Sequence, residues 1–103
     1  MVKNILVPVD GSEGSDRAIE QAVTLASACG AKLNFLYVAN INQLAINACL
    51  SDAILEAVTK AGNVILDRAM ELVPEGVDKE AFSETGSPAV VILDFAMDND
   101  MDL

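Results

Sequence analysis

The residues of this sequence that could do chemistry gather at one junction, Asp10-Gly11-Ser12. The junction follows the apolar run 5–9 and precedes an amphipathic stretch. The carboxylate of Asp10 and the side-chain-free backbone of Gly11 therefore lie between a predicted strand and a predicted helix. Ligands of open parallel sheets bind at the carboxyl ends of strands, which favours Asp10 as a contact for a ligand. In the structural alternative, Gly11 permits a sharp turn and Ser12 caps the helix. We interpret the junction mainly as a connector whose position also allows Asp10 to contact a sugar.

The sequence contains no histidine. Ser-His-Asp and Cys-His nucleophiles, HExxH zinc sites and imidazole general bases are therefore excluded for these residues. Gly11 and Gly14 form neither a G-x-G-x-x-G motif nor a Walker loop, so they do not by themselves predict a phosphate site. Cys29 and Cys49 have no metal or redox spacing, and we expect both to be small core residues.

The charge balance is strongly acidic, with 16 acidic and 6 basic residues and a net charge of −10. Such a surface disfavours nucleic acid, whose phosphates need a basic face. No apolar run approaches the roughly 20 residues that cross a bilayer, and the first residues do not resemble a signal peptide. We therefore expect a cytoplasmic protein with no nucleic-acid or membrane partner. The acids between positions 94 and 102 lack the spacing of a calcium loop and are interpreted as a solvated helix end.

Hydrophobic periodicity predicts three strands that alternate with three helices. Ser12 and Ser87 are predicted N-caps, Pro88 occupies the first helical position, and Gly30 suits a left-handed helix end. The predicted elements are strand 5–9, helix 13–29, strand 31–38, helix 52–73, strand 77–85 and a helix from 88 to about 99.

The spacing of apolar residues also predicts which face of each helix is buried. The expected stripes are Ala18, Ala22, Ala26 and Cys29, flanked by Ile19 and Val23, in the first helix; Ile54, Val58, Ala61, Ile65, Ala69 and Leu72 in the second; and Val90, Leu93, Ala96 and Met97 in the third.

This order of elements predicts an α/β fold with a parallel sheet and helices on its faces. The first strand is the most hydrophobic and should be central, yet only the second strand is available to pair with it. Residues 100–103 resemble the entry to another strand, so we expect a sheet that is cut short. Residues 40–51 form an apolar connector that we interpret as a flap over the crevice.

Two stretches resemble the universal stress protein family. The run KNILVPVDGSEGSDRAIEQAVTLASACGAKLNFLYV is similar to the opening of that family, and SETGSPAVVILDFAMDNDMDL is similar to its third strand, third helix and lead-in to strand four. The resemblance implies a single domain over residues 1–103. It implies a Rossmann-like three-layer sandwich with strand order 3-2-1-4-5, of which this sequence supplies the first three strands.

The resemblance also implies a nucleotide crevice at the carboxyl ends of the strands. In the family members that bind ATP, the acid ending strand one and the hydrophobic residue ending strand two lie against ribose and adenine. The implied nucleotide-binding residues are Pro8, Val9, Asp10, Gly11, Ser12 and Val38. The ligand would be ATP or AMP with Mg²⁺, although the Gly-x2-Gly-x9-Gly-Ser/Thr pattern that holds the triphosphate in those members does not occur in this sequence.

Two function classes follow from the resemblance. The first is a stress-response domain that binds an adenine nucleotide without committed chemistry, and the second is a nucleotide-free dimerisation or adaptor module. Family members commonly form dimers, so a homo-oligomer is expected. An enzyme is disfavoured, because the related ATP pyrophosphatases carry Ser-Gly-Gly-x-Asp-Ser where this chain has Asp-Gly-Ser-Glu-Gly-Ser.

Overall fold

The computed structural model describes residues 2–39 and 52–102, with the side chains of α2 described from Glu56 onward. The predicted flap at 40–51 and Cys49 lie outside the described residues. The described elements are β1 (Asn4–Pro8), α1 (Glu13–Cys29), β2 (Lys32–Ala39), α2 (Asp52–Glu71), β3 (Lys79–Thr85) and α3 (Pro88–Asp98). Within these ranges, no helix has both the length and the apolar composition needed to cross a membrane.

The three strands form one parallel sheet in the order β1-β2-β3. Val7 is paired in register with Phe35, and Leu36 with Phe82. This confirms the predicted α/β fold, in which β2 lies between the other two strands. The helices α1 and α2 are the crossovers between successive parallel strands, and such connections are right-handed in nearly all proteins.

Side chains of neighbouring strand residues point to opposite faces, and this alternation separates two apolar layers. Odd-numbered residues of β1 and β2, including Val7 and Phe35, join the main core beneath α1 and α2. On the other face, Phe82 meets Phe95 of α3 in an edge-to-face arrangement with ring centroids 4.8 Å apart. The molecule therefore has helices on both faces of the sheet, as predicted.

The helix ends follow the sequence signals closely. Ser12 is the N-cap of α1, and its side chain accepts a hydrogen bond from the backbone N–H of Ser15. Gly30 ends the helix at φ 69° and ψ 29°, in the left-handed region that glycine adopts at little cost. Ser87 stands before α3 as predicted, but its side chain makes no capping hydrogen bond.

The predicted buried stripe of α1 is confirmed at Ala22, Ala26 and the flanking Ile19, and it is wrong at its two ends. Ser15 and Ile19 are buried with Ala22 and Ala26, whereas Ala18 is exposed. Cys29 is a free, exposed thiol and not a core residue. Small side chains surround the helix on several sides, so alanine spacing does not define which side meets the sheet.

The predicted faces of the other two helices also need correction. In α2, Ala69 is buried and Val58 and Ile65 are half-buried as predicted, and Ile54 lies outside the described side chains. Gly62 and Leu66 are buried as well, while Ala61 is exposed and Leu72, just beyond the helix, is 45% exposed. The buried face passes through Gly62 because the ring of Tyr37 lies there, leaving no room for a larger residue. In α3, three apolar side chains of the predicted stripe are largely exposed: Val90, Leu93 and Met97.

The first strand is predicted to be central, but within the described sheet β1 is an edge strand and β2 is central. The outer edge of β1 nevertheless carries few unpaired backbone groups. Lys32 N–H donates to the carbonyl of Lys3, and Val9 N–H donates to that of Leu36. Parallel ladders use alternate residues, so the backbone groups of Asn4, Leu6 and Pro8 face away from β2. Pro8 has no N–H to leave unpaired.

Asp102 lies alongside β1, where the sequence predicts the entry to another strand. Its backbone N–H donates to the outward-facing carbonyl of Asn4 at 2.9 Å. The unpaired groups along the outer edge, within the described ranges, are then those of Leu6 and the carbonyl of Pro8.

Candidate functional site

A crevice of about 500 Å³ lies at the carboxyl ends of β1 and β2, next to the first turns of α1 and α3. The edge where parallel strands end is the usual ligand position in open α/β sheets. The residues that line the crevice are Pro8, Val9, Asp10, Ser12, Gly14, Ser15, Ala18, Leu36, Val38, Pro88 and Ile92.

Asp10 is held as an ionised carboxylate at the exposed mouth of this crevice. One of its oxygens accepts a hydrogen bond from the backbone N–H of Ser12 at 2.9 Å. The Ser12 side chain and this backbone N–H both stabilise the charged form, so the pKa of Asp10 lies below its usual value of 3.8. At neutral pH Asp10 can therefore accept hydrogen bonds from a ligand.

Ser15 stabilises the turn formed by Asp10, Gly11 and Ser12 through two hydrogen bonds. Its hydroxyl accepts a hydrogen bond from the backbone N–H of Asp10 at 3.3 Å, and its own N–H donates to the Ser12 hydroxyl at 3.1 Å. Three residues are thus joined through one small network that orients the Asp10 carboxylate. The sequence analysis did not single out Ser15, because a serine at this position does not match the Glu or Gln of a capping box.

Gly11 is the one candidate residue that does not line the crevice. It has φ 82° and faces α2, where a Cβ atom would lie 3.2 Å from a side-chain carbon of Ile65. Gly11 instead lines a smaller cavity of about 120 Å³ between α1 and α2. The other five candidates, Pro8, Val9, Asp10, Ser12 and Val38, are brought together.

The apolar part of the crevice comes from two elements that are distant in sequence. Leu36 and Val38 extend from β2, and Pro88 and Ile92 come from the first turns of α3. Sequence reasoning assigned Pro88 only to the start of a helix and did not assign Ile92 at all. A helix that begins directly after a parallel strand places its first turn at the ligand-binding edge, and that placement was the available signal.

The arrangement suits a ligand with hydroxyl donors at one end and a flat apolar body at the other. Asp10 supplies an acceptor, and the aliphatic side chains supply a surface for a ring. Among the described residues, no group of three or more acidic or cysteine side chains is placed to hold a metal ion.

Comparison with known proteins defines the family. The model of the universal stress protein family matches residues 1–103. The chain is 32% identical to the universal stress protein YxiE of Bacillus subtilis (strain 168) over 113 aligned positions, which cover 100% of this chain and 76% of that protein. The chain therefore belongs to the universal stress protein family.

Solved structures share the fold. A universal stress protein from Burkholderia pseudomallei superposes with a TM-score of 0.78 at 21% identity, covering 96% of this chain and 76% of that one. The protein MJ0577 gives a TM-score of 0.81 at 22% identity, covering 99% and 71%. A universal stress protein solved in complex with cAMP superposes with a TM-score of 0.64 at 25% identity, covering 98% of this chain and 68% of that one.

Proposed function

We propose that this chain is a regulatory domain of the stress response that binds the adenosine half of an adenine nucleotide in the crevice. The observation that carries the proposal is the position of ionised Asp10 and apolar Val38 in one crevice. Asp10 accepts hydrogen bonds from the ribose hydroxyls. The adenine ring lies between the β2 side chains and Ile92.

Family membership supports an adenine ligand, since one relative is described in complex with cAMP. The crevice volume of about 500 Å³ is within the range of small-molecule sites, about 300–1,000 Å³. We propose binding without turnover, because the polar crevice residues are one carboxylate and two serines already bonded to the turn. The exposed Cys29 thiol suits the reducing cytoplasm, where we place this activity.

The described residues do not form a protein site for Mg²⁺. Asp10 is the single carboxylate that lines the crevice within the described ranges, and one ligand does not define a magnesium site. Magnesium would therefore arrive with the phosphates of ATP, and the proposed contacts of adenosine do not depend on it.

Titration calorimetry with adenosine, 2′-deoxyadenosine, AMP and ATP tests the proposal. If Asp10 contacts the ribose, adenosine should bind more tightly than its 2′-deoxy analogue, because a charged hydrogen bond is lost in the analogue. Asp10→Ala should weaken ATP binding by about 1–3 kcal/mol, the usual cost of losing such a bond.

Glu20→Gln is the matched control, since Glu20 is an exposed acid of α1 outside the crevice. Its affinity should equal that of the parent chain. Equal affinities of Asp10→Ala and the parent for ATP would remove Asp10 from the site. No heat of binding with any of the four ligands would contradict the nucleotide proposal as a whole.

A second candidate function, a dimerisation or adaptor module, is favoured by one observation. Val90, Leu93 and Met97 lie at helical spacing on α3 and are 57%, 61% and 69% exposed. Exposed apolar side chains in a row are typical of a protein interface. We propose that this stripe contributes to a homodimer, and sedimentation of Leu93→Lys against the parent tests it. An unchanged sedimentation coefficient would exclude the stripe from an interface.

A further inference from the structure

A second groove lies between α3 and the outer strand β3, and none of its lining residues is shared with the crevice. Its volume is about 450 Å³, and its apolar base is formed by the Phe82–Phe95 ring pair. Three carboxylates line it, those of Glu84, Asp94 and Asp98. We call this feature the acidic groove, and it is completed by Val91 and Asn99.

The acidic groove concentrates negative charge without any compensation inside the described structure. No lysine or arginine is among its lining residues, and the ion pairs found in the described ranges, Lys32–Glu80 and Arg68–Asp16, lie elsewhere. Asp94 and Asp98 are four residues apart on one helix face, where like charges repel.

The C-terminal end of α3 makes the electrostatic potential of the acidic groove more negative. Its last turn carries no basic residue, and Asp98 adds a negative charge beside the partial negative charge of the helix C-terminus. Each of these contributions disfavours the isolated fold slightly, and each would become favourable beside a cation. A cation that also covers the phenylalanine rings would match both the negative charge and the aromatic base of the groove.

The strand that borders the groove has an unpaired edge within the described structure. Leu33 N–H donates to Asp78, and Gly86 N–H donates to Ala39, so even-numbered residues of this segment face β2. The alternate residues then turn their backbone N–H and carbonyl groups outward. These outward residues are Lys79, Ala81, Ser83 and Thr85.

We propose that the β3 edge and the acidic groove together bind an extended basic segment of a partner protein. The segment adds to the sheet as a fourth strand beside β3, taking up the outward backbone groups. Side chains of a strand alternate between faces, so every second residue of the segment lies on the α3 face, beside Phe82 and Glu84.

This geometry specifies the sequence of the partner segment. Arginine or lysine at every second position places the charged groups among the three carboxylates and the alkyl stems against the phenylalanine rings. Small or β-branched residues at the intervening positions face the side of Ala81 and Ser83. The proposal does not rest on nucleotide binding, because none of the groove residues lines the crevice.

Fluorescence anisotropy with three labelled peptides tests the proposal on the full chain. The first alternates arginine with valine, the second has the same composition with arginines and valines in separate blocks, and the third replaces arginine with glutamate. The alternating peptide should bind at least about tenfold more tightly than the block peptide at roughly 0.15 M salt, where long-range attraction is screened.

Two kinds of variant distinguish the contribution of the β3 backbone edge to peptide binding from that of the three carboxylates. Glu84→Gln/Asp94→Asn/Asp98→Asn should weaken the alternating peptide by about tenfold or more. The control Glu20→Gln/Asp67→Asn/Glu71→Gln removes the same number of charges from α1 and α2. The affinity of this control for the alternating peptide should stay within about twofold of the parent value. Ser83→Pro removes one outward N–H and should weaken binding, whereas Ser83→Ala keeps that N–H and should not.

Circular dichroism melts establish which variants are folded, and the charge variants still decide the matter if Ser83→Pro does not fold. Equal binding of the alternating and block peptides would overturn the proposal, since it would indicate attraction to net charge alone. Equal weakening by the two triple variants would do the same. Competition by spermidine as effective as by the alternating peptide would also overturn it, because a polyamine cannot pair with a strand.

Discussion

Asp102 and Asn4 exchange two hydrogen bonds, although 98 positions separate them. The backbone N–H of Asp102 donates to the carbonyl of Asn4 at 2.9 Å, and the Asp102 carboxylate accepts the N–H of Asn4 at 2.9 Å. The same carboxylate oxygen accepts the N–H of Lys3 at 2.8 Å. This side chain therefore joins the last described residues to the start of β1, an edge strand of the described sheet, which the interpretation as a solvated acid did not foresee.

The charge of Asp102 should make stability depend on pH. The N–H groups of Asn4 and Lys3 lower the pKa of Asp102 from 3.8 in the folded chain. The stabilisation is fully present above that unfolded value and is lost as pH falls through the lower folded value. Asp102→Asn should lower the melting temperature near neutral pH, and the difference from the parent should shrink below about pH 3.8.

Asp78→Asn is the control, because Asp78 makes no side-chain hydrogen bond within the described residues. Its melting temperature should follow that of the parent across the pH range. A difference between Asp102→Asn and the parent that persists undiminished at low pH would show that the charge is not the cause.

Gly62 is the point of closest approach between α2 and β2. A Cβ atom there would lie 2.7 Å from two ring carbons of Tyr37. Gly62→Ala should therefore destabilise the fold by about 1–3 kcal/mol, the usual cost of overpacking. Chemical denaturation measures this change in the free energy of unfolding.

Gly14→Ala, in α1, is the matched control, because the nearest atom to the added Cβ would be the Ser12 hydroxyl oxygen at 3.8 Å. It should be neutral or stabilising by up to about 1 kcal/mol, since alanine is the better helix former. Tyr37→Ala should relieve the clash, so Gly62→Ala should cost much less in that background. Equal costs in both backgrounds would place the strain elsewhere.

Gly11 and Asp10 are adjacent, but we expect their substitution to have different effects. Gly11→Ala forces a Cβ atom into the positive-φ region and toward Ile65, which should cost about 1–2 kcal/mol or more in stability. The folded variant should keep the adenosine affinity of the parent, because Gly11 lies outside the crevice. Loss of affinity in a variant shown to be folded at the assay temperature would assign Gly11 to the site.

Lys79 connects the first residue of β3 to the end of α2. Its ammonium group donates to the carbonyl of Met70 at 3.0 Å and lies 3.5 Å from that of Val73. A cation at the negative end of a helix contributes about 0.3–1 kcal/mol, so Lys79→Met should lower the free energy of unfolding by that amount. Lys60→Met, on the exposed side of α2, should change it less, and an equal loss in both would exclude a local effect.

The type and sequence of the elements could be predicted because each signal is local, whereas the position of β2 between β1 and β3 was implied by the resemblance to the family. The β-branched run of residues 5–9, the alternation in β2 and the capping residues Ser12 and Gly30 each indicate one structure. The position of Asp10 at the crevice could be predicted for the same reason, since it directly follows a buried strand.

The faces of the helices could be predicted only in part, because their sequences contain too little contrast between apolar and polar positions. Ala18 and Ala22 have equal hydrophobicity, yet only Ala22 is buried. A glycine carries no hydrophobic signal, so the buried position of Gly62 depends on Tyr37, a residue of another element. Ile92 reaches the crevice through the packing of α3 across the sheet, which no spacing within that helix encodes.

The outward position of Pro8 has a consequence for amide hydrogen exchange. Within β1, the N–H groups of Ile5 and Val7 face β2, that of Asn4 is bonded to Asp102, and Pro8 has none. Leu6 therefore carries the single unprotected amide of this strand in the described structure. Its exchange rate, compared with that of its two neighbours, reports directly on whether anything covers the outer edge, without a labelled partner or a change in the sequence.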